Sequence, residues 1–123
     1  MPVISIMSLP IEHDVAARLP ELSASFSRAM AIDIQHISIS WQFYTGRHYC
    51  VSGRSSETLA SGFPIKVQLL TPNLYRLPSI EKMLAFLAQE VSAIAQTCIE
   101  EVFVYHQDVA SGHVFDEGRV LRW

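Results

Sequence analysis

A chain of 123 residues, half of them hydrophobic and 17% charged, has the material for one domain spanning 1–123 and not for two independent cores. A formal charge of −3 with no clustered basic stretch excludes general nucleic-acid binding. No apolar run reaches the roughly 18 residues that would span a membrane, and no basic, then hydrophobic, then cleavable leader opens the chain, so a soluble, cytoplasmic protein is expected.

Residues 2–9, PVISIMSL, are dense in β-branched side chains and stop at Pro10, as a short strand does at a turn. After IEHDVAAR, a loop or separate turn, Leu19, Leu22, Phe26 and Met30 recur at helical spacing, with Pro20 tolerable only in a first turn. A helix from about Pro20 to Ala31 follows. In HISISWQFY, Ile37, Ile39, Trp41 and Phe43 alternate with small or polar residues, which predicts a strand with one core-facing side and a sheet covered by helices on that side only.

The stretch from Thr45 to Gly62, rich in Gly, Ser and Arg, reads as a long loop with a brief strand at HYCV; loops of that length often serve function or touch another subunit. FPIKVQLL is a third main strand, ended by TPNLYRLP. Ser79 then offers an N-cap for a helix whose stripe runs Ile80, Met83, Leu84, Leu87, Val91, Ile94, Ala95 and Cys98, a core stripe by its spacing. VFVYHQDV is the fourth strand. Turn signals at Ser111–Gly112 and Glu117–Gly118 predict a terminal hairpin.

The order is strand, helix, strand, twice over, then a tail. Right-handed crossovers put both helices on one face of a four-stranded sheet, giving an α+β, two-layer fold built from two β-α-β units plus a C-terminal hairpin. The opposite face needs another cover, and the apolar surplus, with a mean hydropathy of +0.23, points to subunit contacts. Cys50 and Cys98 are too few for a disulfide framework and are expected to be buried thiols. His13, His36, His48, His106 and His113 show no paired metal spacing, and no P-loop, dinucleotide glycine motif or serine elbow occurs, so no metal and no cofactor is expected.

The second-place proline, the doubled β-α-β pattern and the length together resemble the tautomerase superfamily, which includes 4-oxalocrotonate tautomerase, macrophage migration inhibitory factor and 5-carboxymethyl-2-hydroxymuconate isomerase. FPIKVQLLTP and GHVFDEGRV look most like one subgroup whose members end in an aromatic-rich turn with a glycine; RLPELSASFSRAMAI and the length look like the hydroxymuconate isomerase branch. The resemblance implies a homotrimer whose sheets face inward, with the third dimension of cover supplied by neighbouring subunits. It also implies a mature chain starting at Pro2, whose amine is the general base of keto–enol chemistry on a small carbonyl or carboxylate compound.

The chemistry has a physical basis. An exposed α-amino group titrates near 8 and is mostly protonated at neutral pH, whereas burial beside Val3, Ile4 and Ile6 disfavours the cation and frees the base. An internal proline nitrogen is an amide without basicity, so the reaction requires removal of Met1. By resemblance, Phe103 and Tyr105 line the substrate pocket, and alternation independently puts both on one face; Tyr49 in RHYCVSG is a further pocket aromatic. The family's cations are missing: Glu12 and Ser38 stand where two arginines are expected, and Ile32 where a lysine is. Lys66 and Arg47 are the first substitutes, followed by Arg54, Arg76 and Arg119. A non-catalytic trimer that binds a small molecule or a partner is the other expectation.

Overall fold

The computed structural model describes residues 1–123. Its elements run β1 (Val3–Ser8), α1 (Leu19–Met30), β2 (Ser38–Phe43), the two-residue strands β3 (Cys50–Val51) and β4 (Arg54–Ser55), β5 (Ile65–Pro72), α2 (Leu77–Ala95), β6 (Val102–Val109), β7 (Val114–Asp116) and β8 (Arg119–Leu121). The main sheet has four strands in the order β2-β1-β5-β6. β1 runs parallel to β2 and β5 parallel to β6, while β1 and β5 meet antiparallel. Each parallel pair is spanned by one helix, so the expected pair of β-α-β units and the mixed sheet are present.

Register decides which side chains share a face. Ile4 pairs with Ile39 and with Leu69, and Val67 with Val104, so every other residue across the sheet points at the helices. Ile4, Ile6, Ile65, Val67 and Leu69 are fully buried there, against Leu22 and Phe26 of α1 and Met83, Leu87 and Val91 of α2. The Phe26 and Phe86 rings meet edge-on at 5.9 Å, joining the two helices over the sheet.

Helix ends follow local chemistry. Pro20 and Pro78 each stand in a first turn, where a missing N–H costs nothing. α2 therefore begins two residues before the expected cap: Ser79 lies inside the first turn and its N–H donates to the Arg76 carbonyl at 3.0 Å. Both helices end on a left-handed residue, Ala31 at φ 53° and Gln96 at φ 56°. β5 extends to Pro72, past its last partner in β1, where the absent proline N–H is not needed by the antiparallel ladder.

The long loop makes a miniature hairpin, β3–β4, about Ser52 and Gly53, both at positive φ as a two-residue turn requires. The loop covers a second small core of Leu9, Tyr49 and Phe63. The terminal hairpin, β7–β8, turns at Glu117–Gly118 as expected. Cys50 and Cys98 are both exposed, contrary to expectation. Cys50 lies in the exposed two-residue strand β3, and Cys98 lies past the end of α2, where the helical stripe no longer applies.

The face away from the helices is open. Ser38, Ser40 and Gln42 make its β2 edge small and polar, but β6 places Phe103 and Tyr105 on it, 56% and 41% exposed, with rings 5.8 Å apart. No helix is long and apolar enough to cross a membrane.

Candidate active site

Pro2 enters the sheet at the start of β1. It is buried, and its carbonyl accepts from the Ser38 amide at 3.1 Å, extending the β1–β2 ladder by one residue. Val3, the next residue, pairs with Leu70 near the end of β5. Met1 therefore emerges beside the last residues of β5, at one end of the open face.

There it enters a cavity of about 240 Å³. Leu70, Pro72 and Val109 form its sheet wall; Val114, Leu121 and Trp123 of the terminal hairpin form the other. Trp123 is tied in place twice: its indole Nε1 donates to Asn73 Oδ1 at 2.8 Å, and its backbone N–H donates to Ser111 Oγ at 2.9 Å. The hairpin is thus held over the chain's first residues by its last. Burial in these apolar surroundings pushes the Met1 amine below its ordinary 8.0, because the cation loses water with no carboxylate in return. In the chain with Met1 attached, the Pro2 nitrogen is an amide, and the basic amine at this cavity is that of Met1.

The sequence-predicted substrate residues lie elsewhere in the same chain. Lys66 pairs with Met7 and Phe103, four register steps from the Val3–Leu70 pair, or roughly 13 Å along the strand. Its Nζ sits 5.1 Å from the centroid of the Tyr49 ring. Tyr49 is buried, stacks on Tyr44 at 4.7 Å and donates its hydroxyl to the Pro64 carbonyl at 3.2 Å. Burial raises its phenol above 10.0, with the Tyr44 phenol adding to the rise. Tyr105 pairs with Gln68 in the middle of the open face. Arg47, exposed in the loop, is paired with Glu57 at 2.9 Å.

One protomer therefore divides the predicted set. Pro2 stands at one end of the sheet; Lys66, Tyr49 and Phe103 gather at the other, with Tyr105 between. Arg54 lies 5.4 Å over the Phe63 ring, also away from Met1, and no lysine or arginine lines the Met1 cavity. No group of three or more histidine, cysteine or acidic side chains is arranged to hold a metal ion. The cavity wall from the tail was not anticipated. Its signal lay in the apolar Val114, Leu121 and Trp123 flanking two turns, which a tail without a docking surface would have no reason to carry.

Comparison with known proteins finds no matching protein-family model and no matching curated protein. Solved structures do match. A native fused 4-OT superposes with a TM-score of 0.82 at 15% identity, over 96% of this chain and 94% of that one. N1, a member of the cis-3-chloroacrylic acid dehalogenase family, gives 0.79 at 14% identity over 97% and 82%. A macrophage migration inhibitory factor homologue from Prochlorococcus marinus gives 0.76 at 14% identity over 97% and 98%. Two further fused 4-OT structures, at 12% and 14% identity with TM-scores of 0.82 and 0.80, are an asymmetric and a symmetric trimer; they span 96% and 97% of this chain and 94% of their own. The chain has the tautomerase-superfamily fold, and at these identities the likeness is one of fold.

Proposed function

We propose that this chain is a cytoplasmic, homotrimeric tautomerase-like isomerase that acts, once Met1 is removed, through the secondary amine of Pro2. The observation that carries this reading is the apolar cavity around Met1, in which an amine is pushed toward its free-base form. An amine freed at Pro2 takes a proton from a carbon next to a carbonyl, and the electron pair is held as an enolate. The ammonium then returns a proton to a second position of the same conjugated system, so atoms balance and nothing is oxidised or reduced.

Trimerisation is supported by the open, partly aromatic face and by the trimers among fused 4-OT structures. In this reading Lys66, Tyr49, Phe103 and Tyr105 serve the Pro2 site of a neighbouring protomer, since their own lies too far away. Arg47 joins them only by leaving Glu57. The substrate is a small carbonyl or carboxylate compound, and no cofactor takes part.

A non-catalytic, ligand-binding trimer is the second reading, favoured by the absence of a cation from the Met1 cavity. Intact mass of protein from its native source, followed by ketonisation of phenylenolpyruvate or 2-hydroxymuconate by wild type and Pro2→Ala, separates the two. Loss of one methionine and a large fall in Pro2→Ala support the enzyme. Retained methionine, or equal rates, overturns it.

A further inference from the structure

The walls of the Met1 cavity carry no charged side chain and no free side-chain donor. We propose that the terminal hairpin selects substrates whose end against it is an uncharged aryl or branched alkyl group, and rejects a dicarboxylate with a carboxylate at that end. The selectivity rests on the Pro2 reading above for its chemistry and on the cavity wall for its choice of substrate.

Only two side chains of the wall have a donor, and both are engaged. Thr71, 1% exposed at the end of β5, gives its one hydroxyl proton to the Pro72 carbonyl at 3.0 Å and faces His106 Nε2 at 2.8 Å. Trp123 gives its indole proton to Asn73 Oδ1 at 2.8 Å. What the wall offers a ligand is the hydrocarbon of Leu70, Val114 and Leu121 beside Trp123.

A carboxylate set against this wall would lose water and gain neither a side-chain hydrogen bond nor a lysine or arginine. Its one available partner is the N-terminal amine itself. That pairing favours the ammonium and removes the free base on which proton abstraction depends. The misplaced charge therefore weakens both binding and chemistry, whereas an aryl or branched alkyl group weakens neither. Size agrees with this choice: an apolar cavity of about 150 Å³ holds benzene, and this one is about 240 Å³. A single carboxylate directed away from the hairpin remains compatible with Lys66 of a neighbouring protomer.

The test uses the full chain with its native N-terminus and two ligands that differ only at the far end of the ring, 3-phenylpropionate and 3-(4-carboxyphenyl)propionate, each followed by amide and indole chemical shifts. 3-Phenylpropionate is expected to give saturable shifts at Leu70, Val114, Leu121 and the Trp123 indole, and the second carboxylate to weaken binding at least about tenfold. Val114→Lys gives that carboxylate a partner and is expected to bring the ratio below about threefold, with an unchanged spectrum outside 111–123 verifying its fold. Equal affinities in the wild type, saturable shifts confined to the Lys66 and Tyr49 end, no saturable binding, or an unchanged ratio in Val114→Lys overturns the proposal. The ketonisation assay separates the selectivity from the chemistry. Wild type that turns over 2-hydroxymuconate, with a carboxylate at each end, as well as phenylenolpyruvate refutes the selectivity and keeps the Pro2 base. The binding preference without turnover keeps the selectivity and refutes the Pro2 base.

Discussion

Lys66 Nζ stands 5.1 Å from the centroid of the Tyr49 ring, so a charged strand residue on the open face lies over the buried phenol of the long loop. The pair joins β5 to the loop, and its two members contribute differently. The cation–π contact, at an exposed site, is worth about 0.5–1 kcal/mol, whereas the ring itself fills the core of Leu9 and Phe63. Lys66→Met is therefore expected to cost under about 1 kcal/mol in urea unfolding and Tyr49→Ala about 3 kcal/mol or more. A Tyr49→Ala loss as small as that of Lys66→Met would show that the ring packs no core.

The same phenol predicts an alkaline effect. Its folded pKa is raised above 10.0, so it favours folding below pH 10 and that contribution is lost as pH rises through the folded value. Tyrosinate absorbance should contain one component titrating later than the rest, missing in Tyr49→Phe, and Tyr49→Phe should lose less stability than wild type above pH 10. Indistinguishable titrations of the two proteins would refute it.

The Met1 amine has the opposite sign. Its pKa is lowered from 8.0 by burial, so the folded state prefers it neutral: the stability it contributes is present above pH 8 and is lost as pH falls through the folded value. Protein retaining Met1 should react with an amine-selective acylating reagent, at its N-terminus, with a midpoint below that of the unfolded chain. In mature protein, kcat/KM should rise through the Pro2 amine's own titration, and Val114→Lys, which places a second cation in the cavity wall, should move that limb to lower pH. A midpoint identical to that of the unfolded chain removes the physical basis for a base at this position.

How much of this was legible in the chain depends on the range of the forces involved. Ile37, Ile39 and Trp41 alternate with polar residues because one side of β2 meets the helices, and the Met83–Leu87–Val91 stripe repeats because one side of α2 meets the sheet; both patterns are local, but Phe43, expected on the same core-facing side, is 43% exposed at the end of β2 and lies outside the helix-side core. Ser79 misled because a good capping side chain was outweighed by Pro78, which fits the same first turn and lets the helix start earlier. Cys98 continued the stripe on paper, but Gln96 turns left-handed and ends the helix before it. Lys66, Tyr49 and Phe103 are expected at the same substrate site as Pro2, and their separation from it within one chain is a matter of register between β1 and β5, which neither strand's own pattern encodes. The Met1 cavity was out of reach for a related reason: it requires residue 1 and residue 123 to meet across the sheet.

That meeting rests on Trp123 and Asn73. The indole-to-amide hydrogen bond is exposed and worth about 1 kcal/mol, enough to hold a hairpin and too little to hold the fold. Asn73→Ala should lower the unfolding free energy in urea by no more than about 1 kcal/mol while amide exchange across 111–121 accelerates several-fold. Unchanged exchange in this hairpin would mean that apolar contacts of Val114 and Leu121 suffice to close the cavity without the tether.

The open face makes the last and widest prediction. Phe103 and Tyr105 are 56% and 41% exposed on an edge strand whose other side is fully engaged with α2 and β5, and their rings lie 5.8 Å apart as one apolar patch. A large exposed aromatic pair next to the uncharged Gln68 and Gln107 gains by burial against another copy, and a carboxylate placed within such a contact would be stranded without a partner. Phe103→Glu with Tyr105→Glu should therefore convert a trimer to a monomer in sedimentation velocity, with the far-ultraviolet circular dichroism unchanged because neither side chain belongs to the helix-side core. If isomerase activity is present in the wild type, it should fall with the trimer even though Pro2 is untouched, since the residues proposed to complete its site come from the neighbour. A double variant that stays trimeric would assign the contact to another surface, and one that becomes monomeric with full activity would return the whole site to a single chain.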